Sequence, residues 1–440
     1  MGASSSKKSP VIGSVATPMY CLNVMGSRHL LLGGGGGQAK TGVKNEIQTM
    51  LLGYDTNISH ASGPAKAAAE PTGPRLRGAG LIDTSSRSTM GMDVISFGLP
   101  EDGRYLIAAS HDQFCGFYET DGFEVVESDD EPRTLTLIPR RVALFETVLT
   151  ANAKNDRFQK RVKFANLQGK LILVTSGSDG MIKVWNVEDI LQDTDKSTPS
   201  KEWDAGHGQI DDLDVSPDGT TIFSLGDKSK SVFVWDTVSG RQLYEVQSPP
   251  GYTPRCVRFT NRAQDNNRDN MFFVVAYNPT VLRGKQETKL LRWVCSRRQT
   301  ALDLVCSTNS ISERISKIDV QDGGRWIAIG TMEGSVAVHR TSDLKKMKVN
   351  VGTHDNFVTD VKVLPPKTED FPDLQKTFKM SYIPGPHSEA EVAVVSISVD
   401  NTVQLHTLPF DHTPSLVFVL LLSLLFTILC PVFFSFFLKL

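Results

Sequence analysis

The residues whose types and spacing could do chemistry lie near the amino end, where Gly33, Gly34, Gly35, Gly36 and Gly37 run into Gln38, Ala39, Lys40, Thr41, Gly42, Val43, Lys44 and Asn45. Glycine supplies no side chain to bury and loses the most backbone entropy on ordering. A folded chain keeps such a run where backbone must approach something closely, or else as a flexible turn. The stretch 34–41 comes near the phosphate-binding pattern G-x-x-x-x-G-K-[ST], with Ala39 where that pattern needs its second glycine. A phosphate loop also opens a helix whose first amides hold the anion. Here Gly42 follows at once, and Val43, Asn45, Ile47 and Thr49 alternate as a strand does. The segment therefore reads as a long loop between neighbouring strands of one sheet, and nucleotide binding by this chain itself is not expected.

No other stretch offers covalent chemistry. There is no G-x-S-x-G elbow, no HExxH pair and no metal-ligand spacing among Cys and His. The cysteines Cys21, Cys115, Cys256, Cys295, Cys306 and Cys430 are scattered and read as reduced, mostly buried thiols of a cytosolic compartment. With 47 Lys and Arg against 49 Asp and Glu, the net charge of −2 lacks the basic excess that phosphate neutralisation requires, so no nucleic acid partner is expected.

The elements that must position the glycine segment repeat along the chain. An apolar strand, an Asp-Gly turn, a second strand ending in small residues, an acid and a third strand recur. The clearest copy runs from Gly206 and His207 through Asp218 and Gly219 to Asp227, Trp235 and Asp236. The preceding copy carries Asp179, Gly180 and Trp185, and weaker copies surround Asp102, Asp322 and Asp400. Strands of period two in units of about 40 to 50 residues predict an all-β propeller of about seven WD-repeat blades. One blade is built around the glycine run, and an irregular one spans 255–301. The last blade lacks an outer strand, which residues 10–17 can supply from the N-terminus, leaving the ring no free edge. Asp179, Asp227, Asp400, Trp185, Trp235 and His207 are read as structural members of the blades, not catalytic groups.

The carboxyl end departs from this composition. Residues 415–438 predict a transmembrane anchor: no charge falls between Leu416 and Leu438, and Leu, Phe, Val and Ile dominate. At ~1.5 Å per residue a helix of that length reaches about 34 Å, against a hydrocarbon core of roughly 30 Å. The propeller, 10–410, would then face the cytosol, with 439–440 as a lumenal tail. Residues 1–9 are expected to be disordered, although Gly2 and Ser6 also fit a myristoylation pattern. Residues 61–80 and 365–387 read as loop insertions, and the acidic cluster 127–131 as a solvated loop or a face for a basic partner.

The combination of Gly34, Gly35, Gly36 and Gly37 with Lys40, Thr41, Gly42, Val43 and Asn45, a propeller and a C-terminal anchor resembles the prolactin regulatory element-binding protein family. That family includes the Sec-type exchange factors of the endoplasmic reticulum. The resemblance spans nearly the whole chain. It implies a guanine-nucleotide exchange factor, without covalent chemistry, for a Sar-type small GTPase that begins COPII coat assembly in transport from endoplasmic reticulum to Golgi. It also implies a potassium ion held by backbone carbonyls within 33–45, and a single-pass location in the endoplasmic reticulum membrane. Val43 stands where relatives often carry isoleucine, which keeps an apolar β-branched group. The competing expectation is a membrane-tethered WD-repeat scaffold without exchange activity.

Overall fold

The computed structural model describes residues 11–38, 42–54, 74–99, 102–126, 134–150, 157–192, 198–260, 270–281, 287–296, 301–321, 323–365, 390–410 and 427. The repeats fold as seven four-stranded antiparallel sheets. Blade 1 comprises Met19–Met25, His29–Gly34, Glu46–Tyr54 and Pro74–Asp83. Blade 2 comprises Thr89–Ser96, Tyr105–His111, Phe114–Glu119 and Arg140–Glu146. The inner strands of blades 3 to 6 are Gln159–Leu167, Ile210–Val215, Tyr252–Phe259 and Ile315–Val320, each followed by three more strands of its own sheet. Blade 7 takes Val358–Val363, Val392–Ser398 and Thr402–Leu408 from the end of the propeller and Val11–Ser14 from its beginning. Val11 pairs with Gln404 and Ser14 with Thr402, so the first and last strands of the propeller are knitted together and the ring is closed.

Alternation of apolar residues explains why these segments are strands, and the wedge between neighbouring blades explains where the apolar face goes. Phe117 of blade 2 meets Phe164 of blade 3 edge to face at 5.6 Å, and Phe223 of blade 4 meets Phe273 of blade 5 at 4.4 Å. Second strands are buried on both faces, as in Val392–Ser398, where every residue is buried. Each buried Val or Ile of such a strand contributes about 1.5–3 kcal/mol relative to exposure.

The first strand of every blade carries a register shift at its start. The shifts fall before Cys21, Gly91, Arg161, Asp212, Cys256, Lys317 and Asp360, which therefore occupy equivalent places around the central channel. Acids of this region latch neighbouring blades to one another. Asp93 accepts the Phe164 amide at 2.8 Å, Asp214 that of Phe259 at 2.8 Å, Asp319 that of Val363 at 2.9 Å and Asp360 that of Leu22 at 3.0 Å. Asp212, its side chain fully buried, does most: it binds Arg161 at 2.7 Å, Arg258 at 2.6 Å and the Val257 amide at 3.0 Å. These latches are contacts between repeats, so the pattern within one repeat did not reveal them.

Three expectations are corrected. The blade expected to be irregular over 255–301 is a regular four-stranded sheet, from Tyr252–Phe259 to Leu302–Asn309. Residues 74–80, expected in a loop insertion, begin the outer strand of blade 1. An outer strand faces solvent, so Gly, Pro and Arg are tolerated there and the apolar signal is weak. Val43 and Asn45, expected within the strand after the glycine run, precede it, because that strand starts at Glu46.

The chain divides into two units, Met1–Leu408 and Pro409–Leu440. Among the described residues no helix is long and apolar enough to cross a membrane. The expected anchor 415–438 lies outside them apart from Thr427, as do 1–9, 439–440, most of the insertions 61–80 and 365–387, and the cluster 127–131.

Candidate functional site

Because the strands of each blade alternate in direction, the connections between second and third strands share a face with the blade-to-blade connections. The glycine segment is such a connection, joining the second and third strands of blade 1. Its first two glycines are not loop at all. Gly33 pairs with Ile47 and Gly34 with Glu46, continuing the strand ladder. A side chain at Gly33 would come within 2.7 Å of Thr89 Cγ2 and 2.8 Å of Cys21 Sγ, and one at Gly34 would overlap the Pro18 carbonyl. These glycines allow close packing. Gly35, at φ +133°, has no room for a methyl group beside the Asn45 carboxamide, and its amide donates to the Pro18 carbonyl at 3.1 Å.

From Gly36 the backbone moves outward: Gly36 and Gly37 are half-buried and Gln38 is exposed. Gly37 at φ +69° and Gly42 at φ +79° take the left-handed conformation that favours glycine. Ala39, Lys40 and Thr41 lie outside the described residues. The chain that returns exposes Gly42, Val43 and Lys44, then buries Asn45. Val43 is 37% exposed, an apolar group presented at the tip side of the loop. No helix follows the glycines, as the departure from the phosphate-loop pattern implies, since the segment leads directly into the strand Glu46–Tyr54.

Asn45 holds this arrangement together. Its Oδ1 accepts the Gly37 amide at 2.8 Å, while Nδ2 donates to the Gly37 carbonyl at 3.1 Å and to the Ser85 carbonyl at 3.0 Å. Ser85 belongs to the connection from blade 1 to blade 2, so one carboxamide ties the two arms of the loop to each other and to the next blade. Gln38 extends the tie, donating to Asp112 Oδ2 at 3.3 Å in the turn of blade 2. Burial pushes the Asp112 carboxyl above its ordinary range, against the pull of that bond. On the other side the Thr17 hydroxyl donates to buried Glu46 Oε1 at 3.0 Å, and Gln48 donates to the same oxygen. Replacing Asn45 by alanine is expected to leave the Gly37 amide open to water and to weaken the loop by about 1–2 kcal/mol. Hydrogen exchange at that amide should quicken about tenfold or more, with little change in the global unfolding midpoint.

Beneath the loop the blade interior is structural. His111 bridges Thr89 Oγ1 at 3.1 Å and Tyr118 Oη at 2.8 Å, and burial together with the Arg87 charge pushes its pKa down to about 4, so it is neutral. The residues read as blade members make the expected kind of contacts. Trp235 Nε1 donates to Ser224 Oγ at 2.8 Å, His207 Nε2 lies 2.9 Å from the same oxygen, and Asp227 accepts the Gln209 amide at 3.1 Å. In blade 7 Asp400, His354 and Ser396 stand in line at 2.9 and 2.8 Å. That is the spacing of a nucleophilic relay, yet Ser396 has no exposed surface and shares its hydroxyl with His406 at 2.7 Å. The trio braces a blade; no substrate can reach it. Four described cysteines are buried and Cys306 is half-buried, all as free thiols, while Cys430 lies outside the described residues.

Met90 and Phe158, missed in the sequence, are exposed on the same face as Val43, at the start of the inner strand of blade 2 and in the approach to blade 3. Only their position at the inner ends of connections distinguishes them from core residues, and the repeat pattern does not assign that position.

Residues 198–236 match the WD domain, G-beta repeat, which is the end of blade 3 and most of blade 4. The mouse protein named guanine nucleotide-exchange factor SEC12 is 28% identical over 421 residues, covering 89% of both chains. The rat protein of the same name shows the same identity and coverage. The likeness thus extends far beyond one repeat. Over most of its length the chain is homologous to the SEC12 guanine nucleotide-exchange factors.

Proposed function

We propose that this protein promotes GDP release from a Sar-type small GTPase at the endoplasmic reticulum membrane, and so initiates COPII coat assembly. Homology to SEC12 implies the coarser part, a guanine-nucleotide exchange factor with a small GTPase partner. The observation that carries the rest is the glycine segment, in which Asn45 draws the two arms together so that Val43 is held outward instead of folding into the core.

The mechanism is binding linkage and makes or breaks no covalent bond. A surface that binds the nucleotide-free GTPase more tightly than the GDP-loaded form weakens GDP binding by the same factor. A loop that is ordered before contact loses little entropy on docking, so more of the contact energy is available to displace nucleotide. Val43 acts as an apolar wedge beside the nucleotide pocket, with Met90 and Phe158 on the same face as further contact area. GTP, in excess, then fills the emptied site. The uncharged segment 415–438 confines the reaction to one membrane.

A potassium ion fits the donor chemistry of the loop. Residues 35–45 contain no carboxylate, and their oxygens are backbone carbonyls, a hydroxyl and carboxamides, the neutral set that suits a monovalent cation. Bound among the loop carbonyls between Gly35 and Asn45, it would neutralise their mutual repulsion and stiffen the turn. The test is release of labelled GDP from the GTPase with purified full-length chain, in potassium and in lithium buffers. Stimulated release that is strongest in potassium supports the proposal. An unchanged rate would identify the chain as a scaffold.

A further inference from the structure

Three turn acids of this propeller share one task. Between the second and third strands of blades 4, 6 and 7, Asp227, Glu333 and Asp400 each accept a backbone amide from the connection that leads into their own inner strand. The donors are Gln209, Arg314 and Asp355, each at 3.1 Å. Asp112 holds the corresponding place in blade 2. Its carboxylate serves the blade before it instead: Oδ2 accepts Gln38 Nε2 of the glycine segment at 3.3 Å.

The backbone of the same turn fixes a neighbouring part of the glycine-loop face. The Asp112 carbonyl accepts the Gln159 amide at 2.6 Å, and the Gln113 carbonyl accepts those of Thr147 and Val148 at 2.9 and 3.2 Å. These bonds hold both ends of the connection into blade 3, and exposed Phe158 adjoins Gln159. Asp112 itself takes the left-handed conformation, at φ +52°. Aspartate and asparagine enter that region more readily than most side-chain-bearing residues, and glycine enters it at no steric cost. One residue thus grips the glycine segment by its side chain and the Phe158 approach by its backbone.

We propose that Asp112 is a positioning residue for nucleotide exchange: its carboxylate, diverted from its own blade to Gln38, sets the glycine segment at a fixed place relative to Phe158. The proposal rests on the exchange reading and adds the group that aligns two parts of the contact surface. Asn45 closes the segment on itself and on Ser85, whereas the bond from Gln38 lies further along the segment and outside that closure. A segment freed from this bond must be ordered again when the GTPase docks. The loss therefore falls on affinity and not on the rate at saturation.

The experiment is release of labelled GDP from a Sar-type GTPase over a range of concentrations of the full-length chain. Asp112→Gly suits the left-handed turn and removes only the side chain. It is expected to raise the half-maximal concentration about three- to tenfold, the scale of one hydrogen bond. Gln38→Ala should do the same, and the double variant no more than either. Asp112→Asn, which keeps both the turn and an acceptor, should recover most of the wild-type affinity. Gln38 is exposed, so Gln38→Ala carries the test if the glycine variant does not fold. Wild-type affinity in Gln38→Ala or in a folded Asp112→Gly chain, or a double variant whose loss is the product of the single losses, would overturn the assignment. A wild type that stimulates no release would sink the exchange reading by itself. Hydrogen exchange at the Gly37 amide then decides whether Asp112 holds the segment: about three- to tenfold faster in Asp112→Gly if it does, unchanged if it does not.

Discussion

Replacing Asp212 by alanine is expected to destabilise the propeller by about 3–5 kcal/mol, the usual consequence of removing one partner from a buried ion pair. The carboxylate has no exposed surface and stands between Arg161 at 2.7 Å and Arg258 at 2.6 Å, on blades 3 and 5. Its loss leaves two guanidinium groups facing each other and the Val257 amide without its acceptor. Asp212→Asn keeps an acceptor for the amide while removing the charge, so an intermediate loss is expected. Burial alone would raise the carboxyl pKa, but Arg258 and Arg161 more than reverse that and hold it well below the usual range. A depressed folded-state pKa contributes stability above the unfolded value, near pH 4, and that contribution is lost as pH falls further. The urea midpoint of the Ala variant at neutral pH is the check. A loss below about 1 kcal/mol, the size expected of a surface pair, would contradict this role.

Val43→Asp is expected to reduce stimulated GDP release by about 30-fold, corresponding to roughly 2 kcal/mol, the scale of an interface hot spot. Val43 is exposed and lies outside the strand ladder, so the substitution should leave the fold intact. An aspartate there would have to be desolvated on docking, close to nucleotide phosphates of the same charge. Release measured alongside thermal unfolding separates the two effects. Unchanged release from a folded variant would remove Val43 from the contact.

The propeller was legible because each repeat carries its own signal: turn acids such as Asp227, packing residues such as Trp235, and strands of period two. Closure of the ring by Val11–Ser14 was legible as well, since the last blade was visibly one strand short. The outer strand of blade 1 was not, because Pro74–Asp83 faces solvent and has no continuous apolar pattern. The glycine segment stood out by composition, but its composition did not separate two uses. Gly33 and Gly34 allow tight packing against Thr89, Cys21 and Pro18, whereas Gly37 and Gly42 supply turns. Nor could the sequence assign Asn45 its three backbone partners, one of which lies 40 residues away at Ser85. The channel charges were hidden for the same reason: Arg161, Asp212 and Arg258 meet only when separate repeats are set in a circle.

The most direct measurement is GDP release from a Sar-type GTPase driven by the full-length chain, compared with a variant in which residues 36–43 are replaced by a short turn. The unfolding midpoint of the variant reports whether its ring is intact. With the ring preserved, release is expected to fall to the unaided rate of the GTPase. Stimulation equal to that of the wild type would show that the glycine segment does not open the nucleotide pocket.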